Sequence, residues 1–165
     1  MNTAIASDFT HSSHRHLQYQ EQDSPQTVRQ GLAEYYTQMD DLFDPEALDG
    51  ESRELFQRHD VAHVVFGCDV SVRQEARTDA WTIFGTDLSM RRFLGYVRLP
   101  ESRQIIRDLG FWRTVKISLA AIPDFFAIIR RTRRMHKKWP WDDHEGYLDR
   151  PLHAVRKEFG IAVMP

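Results

Sequence analysis

The chain has one cysteine in 165 residues, Cys68, so no disulfide forms within it and packing alone must hold the fold. Such sparse cysteine fits a reducing compartment. Long hydrophobic runs are missing too. The most apolar stretch, "ISLAAIPDFFAII" from Ile117 to Ile129, has thirteen residues and is interrupted at Pro123-Asp124. As a helix it would span about 20 Å against the roughly 30 Å of a bilayer core, which excludes a membrane span. No basic start followed by an apolar run opens the sequence, so no secretory signal is expected. There is no glycine-rich phosphate loop, no internal repeat and no alternating run of β-branched residues. These absences argue against P-loop chemistry, a solenoid and a β-sheet core. Nor is there a large charge of one sign: 22 basic and 24 acidic residues give −2.

What is there describes one soluble domain: 41% hydrophobic and 28% charged residues at a length that can bury a core without staples. The small net charge conceals an asymmetry. Residues 1–60 carry 12 acidic and 4 basic side chains, net −8, and residues 61–165 carry 12 and 18, net +6. Much of the excess lies in "RRTRRMHKK", with Arg130, Arg131, Arg133, Arg134, Lys137 and Lys138. Such a block suits an anionic membrane surface, nucleic acid or plain solvation. Aromatic residues do not interleave with it and no nucleic-acid motif accompanies it, so no nucleic-acid partner is expected.

Helical spacing runs through the chain and predicts an all-α, single-domain bundle of about seven helices behind a disordered tail. The tail is residues 1–24, polar and without periodicity, with His11, His14 and His16 in it. From residue 25 onward Val28, Leu32, Tyr35, Tyr36 and Met39 recur at three to four. Asp44-Pro45 reads as a helix start. Leu55, Phe56, Ala62, His63 and Phe66 share the stripe of the next helix, and Gly67-Cys68-Asp69 breaks it. Asp69 then caps a helix through Val72, Ala76, Ala80 and Ile83. A turn at Gly85-Thr86-Asp87 leads to helical spacing from Leu88 to Leu99, which restarts at Pro100 with Ile105, Ile106 and Leu109 as its face. Ile117–Ile129 reads as a core helix pair joined at Pro123. The sharper alternative is an apolar surface, backed by the basic block, that touches a membrane.

One stretch carries chemistry. In "RHDVAHVVFGCDVSVRQEA", His59 and His63 stand one helical turn apart, so both imidazoles lie on one face. Asp60 is three positions from His63. Two histidines at this spacing clamp a divalent ion. Glu75 would be about 18 Å up the axis of an unbroken helix, but the break at Gly67–Asp69 lets a second helix return it to the histidines. Such nitrogen and oxygen ligands suit zinc, and iron or manganese would also accept them. The bland alternative makes His59 and His63 core residues with hydrogen-bond partners, and Asp60 and Glu75 salt-bridge partners.

His59-Asp60-x-x-His63, eleven residues and Glu75 resemble the signature of the coenzyme Q (ubiquinone) biosynthesis family Coq-Four. The closing stretch, "WPWDDHEGYLDRPLHAVRKEFGI" from Trp139 to Ile161, is similar to the end of that family. There a Pro-Trp pair precedes a helix ending in Glu-Leu/Phe-Gly-Ile. The resemblance covers roughly residues 31–161; Gln74 stands where many members carry glycine. It implies a helical protein on the cytoplasmic face of the inner membrane, peripheral to it, acting on a polyprenylated quinone precursor. The implied reaction is metal-dependent removal, oxidative or not, of the C1 carboxyl of a 4-hydroxybenzoate-type ring, alone or within a complex of other ubiquinone biosynthesis proteins. His59, His63 and Glu75 would then hold the metal, most simply zinc. Asp60 would be a fourth ligand, a support for a ligating histidine, or the catalytic acid. The alternative class is a non-catalytic lipid-binding scaffold with a structural metal, and a homodimer is compatible with either. A His-Asp metal phosphohydrolase ranks last, because its further upstream histidine ligand would have to come from the tail.

Overall fold

The described residues of the computed structural model are 16–37, 50–96 and 120–164. Among them lie six α-helices and no named strand: α1 (Val28–Tyr36), α2 (Gly50–Phe66), α3 (Val72–Gly85), α4 (Met90–Tyr96), α5 (Ile122–Thr132) and α6 (Leu152–Phe159). Single 3-10 turns occur at Gln18–Gln20 and Glu145–Tyr147. The all-α single domain expected from the spacing is what forms. Several expectations lie outside the described residues: Met39, the start at Asp44-Pro45, the helix beyond Tyr96, the face of Ile105, Ile106 and Leu109, and tail residues 1–15.

The second half of α2 is the centre of the molecule. Val61, Ala62, His63, Val64, Val65 and Phe66 are consecutive and all buried. Six residues cover more than a full turn, so this segment is enclosed on every side, which accounts for its lack of a polar face. The N-terminal turn, α1, α3 and α6 pack around it, and α5 packs on α3. Gly31 on α1 permits the closest approach: a Cβ there would lie 2.6 Å from Val64 Cγ1. A capping box starts α1, with Thr27 Oγ1 accepting from the Gln30 amide at 3.2 Å and the Gln30 side chain accepting from the Thr27 amide at 2.9 Å.

Gly67 ends α2 with φ +74°. The Cys68 amide donates to His63 O at 2.8 Å and the Gly67 amide to Val64 O at 3.3 Å. This pairing is a Schellman turn, and it is the physical form of the expected break. The next start differs from expectation. Ser71, not Asp69, is the N-cap of α3. The Asp69 carboxylate accepts the Ser71 amide at 2.8 Å, a side-chain turn one step ahead of the helix.

The expected tail 1–24 is corrected over its last part. Leu17, Tyr19 and Ser24 are buried. The cause is Arg156 on α6, fully buried, whose guanidinium donates to Val65 O at 2.9 Å, Val64 O at 2.8 Å, Tyr19 O at 2.6 Å and Glu21 O. It bridges the C-terminal carbonyls of α2, where a cation is favoured, to the N-terminal segment. Burial pushes its pKa down to about 10, which still leaves it charged at neutral pH. The sequence around Trp139 acts as a strap. The Trp139 amide donates to Gly85 O at 2.9 Å, Trp139 O accepts from Asp87 at 3.0 Å, and both Trp139 and Trp141 are buried.

For the described part of the apolar stretch ending at Ile129, the core expectation is corrected. Pro123 sits in the first turn of α5, just after a turn at Ala121, where its missing amide costs nothing, and residues 117–119 of the expected helix pair lie outside the described residues. Ile128 and Asp124 face inward, while Ile122, Phe125 and Phe126 are exposed, Phe126 at 68%. Two arginines of α3 fix the helix in this orientation. Arg73 Nε and Arg77 Nε donate to Asp124 Oδ2 at 2.8 and 2.9 Å. No described helix is long and apolar enough to cross a membrane.

Candidate metal centre

The site lies where α2 and α3 run side by side after the Gly67 reversal. His59 and His63 project from one face of α2, with ring centroids 4.7 Å apart. Glu75, in the first turn of α3, faces them. Its Oε1 is 3.3 Å from His63 Nε2. One donor atom from each of His59, His63 and Glu75 lies within 4.8 Å of the others, the one such group among the described residues. Three of the four candidate ligands form this group, and they differ in exposure: His63 is buried, His59 and Glu75 half-buried.

Asp60 does not join them. One residue on from His59 it is turned about 100° around the helix, and its buried carboxylate accepts the Tyr36 hydroxyl of α1 at 3.1 Å. The expectation of Asp60 as a fourth ligand is therefore corrected. Burial raises its pKa above the usual carboxylate value, against the pull of His59, His63 and the Tyr36 hydrogen bond.

The buried ring of His63 shows how the donor set fits a metal. Its Nε2 has no hydrogen-bond partner. It lies at ion-pair distance from Glu75 but is not aligned for a hydrogen bond. Two ligand atoms each about 2.1 Å from one tetrahedral ion are separated by roughly 3.4 Å, close to the 3.3 Å observed. A proton alone would satisfy the His63–Glu75 pair. The third donor, His59, is what makes the pair a ligand set, and the residues fit a divalent ion.

The surrounding charges agree. Burial pushes Glu75 up, but His63 and His59 outweigh it and hold its pKa below the ordinary value. Burial pushes His59 down, but Asp79, whose Oδ1 is 3.7 Å from His59 Nε2, together with Glu75 and Asp60, lifts it to about 9. Burial pushes the Cys68 thiol up to about 12, so this sulfur beside the site stays protonated.

Sequence reasoning missed three neighbours: Tyr36, Thr78 and Asp79. Thr78 and Asp79 follow Glu75 by three and four positions, so helical periodicity counted from Glu75 would have placed them on the same face. Tyr36 comes from α1 and had no local signal. In the basic block, Lys137 is paired with Glu158 at 2.6 Å and lies 4.3 Å from the Phe159 ring centroid, and Arg131 is half-buried. Arg130, Arg133, Arg134 and Lys138 are exposed.

No family model, no curated protein and no solved structure matches this chain.

Proposed function

We propose that the protein removes the C1 carboxyl group of a polyprenylated 4-hydroxybenzoate-type precursor of ubiquinone at an anionic membrane surface, with a divalent ion held by His59, His63 and Glu75. The observation that carries this reading is the buried, unpartnered Nε2 of His63 facing Glu75 at 3.3 Å with His59 alongside, in the spacing of the signature described above. Bound there, an ion would supply positive charge for the carboxylate and phenolate oxygens of the substrate. Three protein donors, rather than four, support an open site over a closed structural one.

The remaining requirement is a proton for the ring. As the bond from C1 to the carboxyl carbon breaks, carbon dioxide leaves and C1 takes a proton, with no external oxidant. Asp60 is the acid in this reading: a buried carboxyl held by Tyr36, beside the histidines but outside the ligand set.

The surface of α5 supports delivery from a membrane. Ile122, Phe125 and Phe126 form an exposed stripe, and Arg130, Arg133, Arg134 and Lys138 follow it. Each basic side chain near an anionic surface contributes about 1 kcal/mol. Asp124, on the opposite face, grips Arg73 and Arg77, which flank Glu75 by two positions on either side.

The test is release of carbon dioxide from a prenylated 4-hydroxybenzoate in anionic vesicles, with and without chelator and with and without oxygen. The reading expects turnover that chelation abolishes and added metal restores. Oxygen dependence would assign iron or manganese and an oxidative reaction, since zinc has no redox chemistry. A fully metal-loaded protein that never turns over, yet binds the lipid and restores quinone synthesis in cells, is the scaffold instead.

A further inference from the structure

His63 is buried with both ring nitrogens in defined surroundings. Its Nδ1 lies 3.2 Å from Thr78 Oγ1 and 3.4 Å from Cys68 O. The carbonyl can only accept. Thr78, itself fully buried, gives its hydroxyl proton to Gln74 O at 3.0 Å, so toward the imidazole its oxygen accepts as well. Both neighbours of Nδ1 are therefore acceptors, so once a cation sits between Nε2 and the Glu75 carboxylate, itself an acceptor, the ring proton belongs on Nδ1. Nε2 then carries a lone pair, aimed at Glu75.

We propose that Thr78, with the Cys68 carbonyl, is a positioning pair that fixes His63 in its Nδ1–H tautomer and thereby presents the Nε2 lone pair to the ion. The inference rests on the metal reading given above and names the residues that make it work. Neither partner is in place by accident of packing. Cys68 O is folded back onto the ring by the Schellman turn at Gly67, and the buried Tyr19 hydroxyl also donates to it at 2.9 Å, from the N-terminal segment. Thr78 stands one helical turn beyond Glu75, so the helix that brings the carboxylate to Nε2 also brings the acceptor to Nδ1. A ligating histidine whose other nitrogen is so held is oriented and made more basic, and loss of such a partner typically weakens metal binding 10–100-fold.

Two readouts test this. In zinc-loaded wild-type protein, long-range proton–nitrogen NMR should show His63 with its proton on Nδ1 and none on Nε2, the signal being assigned by its loss in His63→Gln. Zinc affinity, measured by competition with a chromophoric chelator, should fall about 10–100-fold in the isosteric Thr78→Val and largely recover in Thr78→Ser, which keeps the hydroxyl. An Nε2–H signal for His63 in the zinc-loaded protein overturns the proposal. So does wild-type affinity in Thr78→Val, or an equal loss in both variants, which would point to packing rather than the hydroxyl. If the wild-type protein takes up no zinc, the metal reading fails and the positioning role falls with it, whereas zinc uptake with unchanged affinity in Thr78→Val overturns the positioning role alone.

Discussion

His63 shows why residue identity alone says little about role. Its buried ring could be a core histidine; the carboxylate at one nitrogen and two acceptors at the other make it a ligand candidate. His63→Ala and Glu75→Ala are each expected to abolish retention of a divalent ion through gel filtration, read by elemental analysis. Asp60→Asn should retain the ion, because Asp60 is bonded to Tyr36 and not to the site, while losing turnover by about 10²–10⁴-fold, the typical contribution of a general acid. Loss of metal in Asp60→Asn as complete as in Glu75→Ala would return Asp60 to the ligand set. His59, His63 and Glu75 were legible because the spacing of two histidines on one helix is local, and a glycine marked the reversal. The orientation of Asp60 was not, because it depends on Tyr36 of α1, a partner 24 positions away.

At the scale of the element, α5 carries two opposed jobs. Its inner face is pinned by Asp124, whose carboxyl the Arg73 hydrogen bond, with Arg77 beside it, holds down at about 2 despite burial. A carboxylate depressed in the folded state stabilises above its unfolded value near 4, and this stabilisation is lost as pH falls through about 2. Asp124→Asn should therefore lower stability at neutral pH by about 2–3 kcal/mol, since it leaves Arg77 without its carboxylate. It should also flatten the acid limb of the stability curve between about pH 4 and 2, measured by urea unfolding. A mutant with unchanged acid sensitivity would show that other carboxylates set that limb. The outer face predicts a different experiment. Phe126→Ser should leave stability within about 0.5 kcal/mol, as for other exposed positions, yet reduce flotation with anionic liposomes. Binding that survives both this change and high salt would count against docking through α5. From the sequence, this segment read as core because its apolar residues are contiguous. What decided otherwise was the pair of arginines on α3, which capture Asp124 and turn the phenylalanines outward.

For the whole molecule, the main surprise is that residues 16–24 belong to the fold. Their composition is polar, and what holds them is a single buried arginine from the far end of the chain together with Tyr19 and Leu17. No periodicity within nine residues can announce a partner more than 130 positions away. Arg156→Met should destabilise the protein by about 3–5 kcal/mol, because the carbonyls of Tyr19 and Val65 lose the guanidinium that donates to them and Val64 keeps only the Gly67 amide. Deletion of residues 1–24 should do at least as much, read by thermal unfolding. A truncated protein as stable as the full chain would restore the tail reading. The fold gathers His59, His63 and Glu75 at one point, and the proposed function requires an ion there. X-ray absorption at the zinc edge of zinc-loaded protein tests it most directly. The account predicts a shell of nitrogen and oxygen at about 2.0–2.1 Å, two imidazoles and no sulfur, and loss of that shell in Glu75→Ala. A sulfur ligand, a single imidazole, or an identical shell in Glu75→Ala would contradict it.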